Sequence, residues 1–581
     1  MRIAVTGEGI ISAIGRDKQS VLCSLRDNKT GIAPARYLST SRKELPIGEV
    51  KFSNSQLKAF LGLEEDRTLS RTILMGAYAA RQALADASLP LSAIAGKRVV
   101  LVSGTTVGGM DMTEKYYVPS GPVREDYAKC LEYHDCGGCT AAIASLCGGV
   151  FTDWTTISTA CSSGANAMML GADLLKAGLA DIVVCGGSEA MSLFHLNGFA
   201  SLMILDSGVC RPFDASRAGL NLGEGAAFVV MEPETSAIGR GARVHAYLAG
   251  YGNACDAFHQ TASSPDGVGA YLAMKEALEM AGAQPSQIDY VNAHGTGTEN
   301  NDYSETQALK RLFGGSVPPF SSTKGFTGHA TSAAGAIEAV ISLLSMQEGF
   351  IPANLGFSKV MDGGLAPSVG SPKAALNTVL CNSFGFGGND SALVFSLLPG
   401  KEQEEFGLAE GRELSRCEIT QEDDLQAVRK WVNPVESRRM GTLLKASIIT
   451  SMTALQEASV QKPDAIITGT SLGCLENSIH LLDQLVLEGE ESLKPSWFIQ
   501  STHNTIGSNI AIKLGCNGAN ITISQRERSL EWTLLYARLL LGSGRVSNVL
   551  VGCHDETTAR YRQAMGASLP ELHCISILLG K

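Results

Sequence analysis

No stretch of the 581-residue sequence holds eighteen apolar residues without a break, so no segment is built to cross a bilayer as a helix. The start has no charged region leading into an apolar run; Met1-Arg-Ile-Ala-Val-Thr-Gly already reads as a strand and a turn. No membrane association and a cytoplasmic location with reduced cysteines are expected. Positive charge is in short supply. Lys and Arg number 47 against 58 Asp and Glu, a net charge of −11, which argues against a nucleic-acid partner. Zinc-type ligand spacing is also missing. Cys136-Gly-Gly-Cys139 has no second cysteine pair or histidine pair to complete it, so no metal is expected.

Glycine is plentiful. Its 63 copies gather where short apolar strands end, the places that need tight βα turns. Strands are predicted at Val99–Ser103, Asp181–Cys185, Ala226–Met231, Val244–Ala249, Tyr290–Ala293 and Thr378–Asn382. Helices are predicted at Ser70–Ala87, Gly164–Gly178, Gly269–Ala281 and Ser332–Gly349. The alternation predicts an α/β protein. One turn carries chemistry. In Thr-Thr-Ile-Ser-Thr-Ala-Cys-Ser-Ser-Gly (155–164) an apolar strand stops at Cys161 and a helix follows. A thiol at a helix N-terminus is expected to favour the thiolate. Two glycine-flanked histidines lie far downstream, His294 in Asn-Ala-His-Gly-Thr-Gly-Thr and His329 in Lys-Gly-Phe-Thr-Gly-His-Ala. One activated cysteine and two loop histidines suit acyl-thioester chemistry.

Four further motifs join these: Val-Thr-Gly-Glu-Gly at the start, Arg-Pro-Phe-Asp-Ala-Ser-Arg (211–217), Gly-Glu-Gly-Ala (223–226) and Asn-Ser-Phe-Gly-Phe-Gly-Gly (382–388). With them, residues 1–398 resemble the ketosynthases, the β-ketoacyl-[acyl-carrier-protein] synthases of the thiolase superfamily. The resemblance implies a thiolase fold, a five-layer αβαβα sandwich of two duplicated halves (1–250 and 251–398). Ser-Ser-Gly-Ala-Asn-Ala after Cys161 and Ser-Ala-Ala-Gly-Ala-Ile after His329 are traces of that duplication.

A charged, glycine-punctuated stretch, 399–417, reads as a linker. Beyond it, 418–581 repeats the first half. Ser103-Gly-Thr-Thr-Val-Gly is echoed by Thr468-Gly-Thr-Ser-Leu-Gly, and Leu174-Leu-Lys-Ala-Gly-Leu-Ala-Asp by Leu540-Leu-Gly-Ser-Gly-Arg-Val-Ser. This segment resembles a ketosynthase N-terminal half related to chain-length factors. Glu527 or Arg528, depending on a one-residue gap, stands where Cys161 stands in the first copy. A degenerate, non-catalytic half-thiolase domain is expected, with an apolar face that some other surface must cover. His503 is expected to cap a turn and His554 to pack.

The resemblance implies an acyltransferase that performs a decarboxylative Claisen condensation. Cys161 holds the acyl chain. His294 and His329 stabilise the enolate of a malonyl thioester. Lys324 supports them, with Glu338 in the same network. The amides of Cys161 and Phe386 form the oxyanion hole, and Phe386 gates the pocket. Thr296 and Thr298 bind the pantetheine arm. Substrates ride on the phosphopantetheine of acyl carrier protein, so no separate cofactor is expected. Arg67, Arg71 and Arg211 match the carrier-docking patch, and a homodimer is expected through the strand beside the nucleophile. The family's serine after the lysine is Gly325 here, and the turn after His-Gly-Thr lacks a proline. Two alternatives are a non-decarboxylating thiolase, which needs a second reactive cysteine such as Cys381, and a chain-length-factor-like partner without catalysis.

Overall fold

The computed structural model describes the chain except residues 66, 422 and 566–568, and all side chains of the rest but 91 and 92. The first half comprises β1 (Ile3–Ser12), α1 (Arg71–Asp86), β2 (Val99–Gly104), α2 (Cys136–Leu146), β3 (Asp153–Ile157), α3 (Ser163–Lys176), β4 (Ile182–Glu189) and β5 (Gly225–Pro233). The second comprises β6 (Ala246–Cys255), α4 (Val268–Ala281), β7 (Tyr290–Asn292), α5 (Glu299–Phe313), β8 (Phe320–Ser321), α6 (Ala334–Glu348), β9 (Thr378–Gly385) and β10 (Asn389–Ser396). The third unit adds β11 (Arg412–Thr420), α7 (Thr442–Glu457), β12 (Ala465–Gly469), α8 (Thr505–Leu514), β13 (Asn520–Ile523), α9 (Ser529–Gly542), β14 (Asn548–Glu556) and β15 (Leu572–Gly580).

The five layers follow from which faces are apolar. Strands β2 and β4 are buried on both faces, as their continuous valine and leucine runs require. Helix α1 packs outside the first sheet, β3-β2-β4-β5-β1, and α4 with α5 outside the second, β6-β10-β9-β7-β8. Helices α3 and α6 fill the layer between the sheets and are buried almost throughout. Small residues let these two helices approach: a Cβ at Gly164 would sit 2.9 Å from the backbone nitrogen of Ala336. The predicted strand at Val244–Ala249 is longer than expected, because β6 runs on to Cys255 against β10.

The third unit repeats the first half strand for strand. Its order β13-β12-β14-β15-β11 mirrors β3-β2-β4-β5-β1, with α7 in the place of α1 and α9 in that of α3. The linker is shorter than expected, since β11 starts at Arg412 and pairs with β15. All three central helices are preceded by a 3-10 turn opened by a non-glycine residue in the left-handed region: Ala160 (φ 51°), Thr331 (φ 44°) and Arg526 (φ 50°). In the first and third copies the serine that starts the helix secures the turn identically. Ser163 Oγ donates to the Ala160 carbonyl and Ser529 Oγ to that of Arg526, each at 2.7 Å. This register puts Glu527, not Arg528, at the position of Cys161.

The two units join edge to edge. β13 runs antiparallel to β3 at Ile523 and Ile157, with Ser158 N donating to Thr522 O and Ser524 N to Thr156 O. The homodimer expected through the β3 edge is therefore corrected: the same chain fills that edge. The apolar face of the third unit is covered by the ketosynthase-like body and by the linker. Ile466 and Val549 are buried, and Phe406, Leu408 and Ala409 pack against the core that includes α9. Charges lock the join. Arg545 reaches the fully buried Asp173 of α3 at 2.5 Å, and Tyr251 donates to the same carboxylate at 2.5 Å.

Candidate active site

Cys161 sits in the 3-10 turn before α3, His294 just after β7, and His329 just before the turn into α6. The duplicated topology brings these strand ends together around a cavity of about 530 Å³ lined by Cys161, His294, His329, Thr296, Thr298, Phe199 and Phe386. Cys161 Sγ lies 3.0 Å from His329 Nε2. The two imidazoles face each other edge to face, with ring centres 5.3 Å apart.

Lys324 and Glu338 stand behind His294. The buried Lys324 ammonium donates to the His294 carbonyl at 2.5 Å, to His294 Nδ1 at 3.3 Å and to the Glu338 carboxylate. An ammonium has no acceptor, so His294 Nδ1 must accept, and the neutral ring carries its proton on Nε2. Lys324 thereby fixes the tautomer of His294. His329 Nδ1 has no hydrogen-bond partner among the described residues; a neutral Cys161 thiol donating to Nε2 at 3.0 Å leaves the resting ring's proton on Nδ1.

Burial sets the protonation states. It drives both histidines well below their usual value, and the Lys324 charge pushes them further down. It pushes the Cys161 thiol up to about 12, against the lowering pull of Lys324 and of the Phe386 and Cys161 amides. The thiolate expected from the helix terminus is thus corrected: burial outweighs the pull of Lys324 and of the two amides, and the resting pair is a neutral thiol beside a neutral imidazole. Burial likewise raises Glu338 to about 7, with Lys324 opposing. Because both imidazoles are already neutral, they add no rate step near pH 6.5, and a step near pH 7 is expected only from Glu338. Protonation of the rings comes only on further acidification. A rate step near pH 6.5 in malonyl decarboxylation that persists in Glu338→Gln would contradict this.

The amides of Cys161 and Phe386 lie close enough to the sulfur to favour its anion, and they are the two donors available to an oxyanion on a Cys161-bound carbon. Thr296 and Thr298 hydrogen-bond each other through their hydroxyls at 2.8 Å on the cavity wall. Of the expected docking residues, Arg67 is exposed and Arg211 is half-buried beside Asp206 at 3.2 Å. Arg71 is not available. It is buried in a forked pair with Glu224, which contributes both carboxylate oxygens, so its docking assignment is corrected to a structural one.

Several residues escaped the sequence reading. Glu305 accepts from the His294 and Gly295 amides at 2.9 and 2.8 Å and from Asn382. Asn389 accepts from Ser162 and Asn166 beneath the nucleophile turn. Phe386 stacks on Phe199, and Phe199 packs on Phe498 of the third unit. Only the eleven-residue spacing of Glu305 from His294 hinted at one of these. His503 caps no turn; it is buried with Nε2 3.9 Å from Cys136 Sγ. His554 is fully buried, and neither of its ring nitrogens has a hydrogen-bond partner among the described residues. Cys381 is buried in β9, away from the cavity.

Comparison with known proteins matches the parts of this architecture one by one. Residues 1–237 match the family described as Beta-ketoacyl synthase, N-terminal domain, and 245–358 its C-terminal domain. A second N-terminal-domain family of the same description matches 412–576. A 3-oxoacyl-[acyl-carrier-protein] synthase 2 of Synechocystis sp. is 33% identical, covering 68% of this chain and 97% of that protein. The chain belongs to the β-ketoacyl synthase family. The ketosynthase body is also 31% identical to the 3-oxoacyl-[acyl-carrier-protein] synthase 2 of Vibrio cholerae, over 68% of this chain and 98% of that protein. Among solved structures, the ishigamide ketosynthase/chain length factor aligns with 68% of this chain and 99% of that chain, at 29% identity and a TM-score of 0.63. The PfaC keto synthase-chain length factor covers all of this chain and 78% of its own, at 17% identity and a TM-score of 0.79. That likeness concerns the fold, and it extends across the third unit.

Proposed function

We propose that the chain is a 3-oxoacyl-[acyl-carrier-protein] synthase that joins a Cys161-bound acyl group to malonyl carried on acyl carrier protein, with loss of CO2. The observation that carries this reading is the convergence of Cys161, His294 and His329 on one cavity, with the proton of His294 held on Nε2 by Lys324.

Loading begins as Sγ attacks the acyl thioester. The thiol proton passes to His329 Nε2 at 3.0 Å and then to the departing pantetheine sulfur. The oxyanion meets the Cys161 and Phe386 amides. A base is required because the thiol is not ionised at rest. Malonyl then enters along Thr296 and Thr298. As its C–CO2 bond breaks, the enolate oxygen takes a hydrogen bond from His294 Nε2, and His329 adds a second once its proton sits on Nε2. The carbanion attacks the acyl carbonyl and expels the Cys161 sulfur, which takes one proton from solvent by way of His329 to return to the resting thiol. Neutral donors suit this step, since each stabilises developing charge without being an ion in a buried site.

The alternative thiolase reading lacks support, because Cys381 lies outside the cavity. Glu527 at the nucleophile position supports a non-catalytic third unit that acts as built-in partner, so one chain supplies both members of the pseudo-dimer. In this reading substrates arrive on phosphopantetheine, no other cofactor takes part, and the carrier docks near Arg67 and Arg211. Fifteen unpaired cysteines and the absence, among the described residues, of a helix long and apolar enough to cross a membrane support a cytoplasmic setting. The fusion to a chain-length-factor-like unit favours a polyene- or polyketide-type product.

The test is purified full-length protein given acyl- and malonyl-carrier protein. A ketoacyl product with one CO2 released per bond is expected; product formed from two non-carboxylated thioesters would select the thiolase reading. His294→Ala should still load acyl chains and His329→Ala should load them only slowly, for want of its base, while in both malonyl decarboxylation falls about 10²–10³-fold for a lost preorganised donor. Wild-type decarboxylation in both variants would remove these roles.

A further inference from the structure

The third unit reaches the loop that carries Phe386 through the side chain of Asn504. Asn504 occupies the residue before α8, where asparagine ordinarily accepts a hydrogen bond from the first turn of its own helix. Here it makes no such cap, although its counterpart before α2, Asp135, does cap its helix through Gly138 N at 2.6 Å. The buried Asn504 amide turns away instead, and its Nδ2 donates to the Phe386 carbonyl at 2.7 Å. A residue that forgoes its cap to hold a loop of another unit is placed by that loop.

The surroundings reinforce the grip. Gly387, next in the loop, has φ 84° and packs so close to α8 that a Cβ would lie 2.0 Å from Ser508 Oγ. Its N–H donates to the Gln260 carbonyl at 2.8 Å, and the Gln260 side chain donates to Asn509 Oδ1, further along α8, at 2.7 Å. Helix α8 thus holds both the 384–388 loop and the loop around Gln260, and both loops line the cavity. The pseudo-symmetric position is spent differently. Asp135 pairs with Arg526 at 2.9 Å in the turn that carries Glu527, so the mirror-image site is closed by an ion pair.

We propose that Asn504 is a positioning residue for the ketosynthase reaction: by holding the Phe386 carbonyl it aims the N–H of Phe386 at the oxyanion and fixes the ring that gates the acyl pocket. The third unit is then part of the catalytic apparatus, beyond covering the β3 edge. The inference rests on the condensation reading above.

The experiment compares wild type, Asn504→Asp, Asn504→Ala and Asn504→Gln as full-length proteins, measuring kcat and KM for acyl- and malonyl-carrier protein, the rate of Cys161 acylation by mass, and Tm. Asn504→Asp keeps size and loses the donor; Asn504→Gln keeps an amide. The Asp and Ala variants are expected to lose about 10²-fold in kcat, the order that a small misplacement of a catalytic group costs. KM should stay within about twofold, Tm should stay close to wild type, and Asn504→Gln should recover much of the rate. Unchanged kcat in a folded Asn504→Asp, or equal loss in all three variants in step with Tm, overturns the proposal; if Asn504→Asp does not fold, Asn504→Ala decides. A wild-type protein that loads Cys161 but forms no ketoacyl product refutes the condensation reading alone. The Asn504 proposal is then judged by acylation rate, which depends on the same amide.

Discussion

Cys161→Ala should form no acyl-enzyme and should lose condensation by about 10⁴-fold or more, as removal of a covalent nucleophile does. Nothing nearby can replace it: Ser162 Oγ donates to the Thr159 carbonyl and to Asn389 beneath the turn, and Cys381 lies in β9 outside the cavity. The fold should survive, since the turn is secured by Ser163 and one buried sulfur is lost at a cost of about 1 kcal/mol. Malonyl decarboxylation should persist, because His294 keeps its Lys324-fixed proton without the sulfur. Intact-protein mass after incubation with acyl-carrier protein reads the first effect and CO2 release the second. Stoichiometric acyl transfer to the alanine variant would remove Cys161 from the mechanism.

The second large effect concerns the join between the units. A fragment ending at residue 398 should fail as a soluble monomer and should lack ketosynthase activity. Truncation frees the β3 edge at Ile157, an unpaired strand in the middle of an apolar sheet and a template for self-association. It removes Arg545 from Asp173, whose carboxylate is fully buried and held below its usual range, against the cost of burial, first by Arg545 and then by Lys176. Loss of such a partner destabilises by about 3 kcal/mol. It also removes Phe498 from Phe199 and Asn504 from Phe386. Expressing 1–398 alone and together with 399–581, then measuring solubility, mass in solution and condensation, tests this. A monomeric, fully active 1–398 fragment would show that the third unit is dispensable.

The sequence by itself determined the chemistry and the family. Thr-Ala-Cys-Ser-Ser-Gly, the two glycine-flanked histidines and Lys324 are local signals, because a turn that exposes a nucleophile needs small residues at fixed offsets. The repeat of the first half beyond residue 418 was legible for the same reason: strand and helix periodicity survive when catalytic residues do not. Tertiary structure alone decided the rest. Whether Cys161 is ionised depends on how completely it is desolvated, and burial is a property of the whole sandwich. Arg71 reads as a surface cation until Glu224, 153 residues away, is brought against it. The choice of Glu527 over Arg528 needed the left-handed turn at Arg526. The homodimer edge, the Asp173–Arg545 lock and the Asn504 contact with Phe386 all arise from the packing of a pseudo-partner on β3, and no periodicity within either segment encodes which distant edge will be filled.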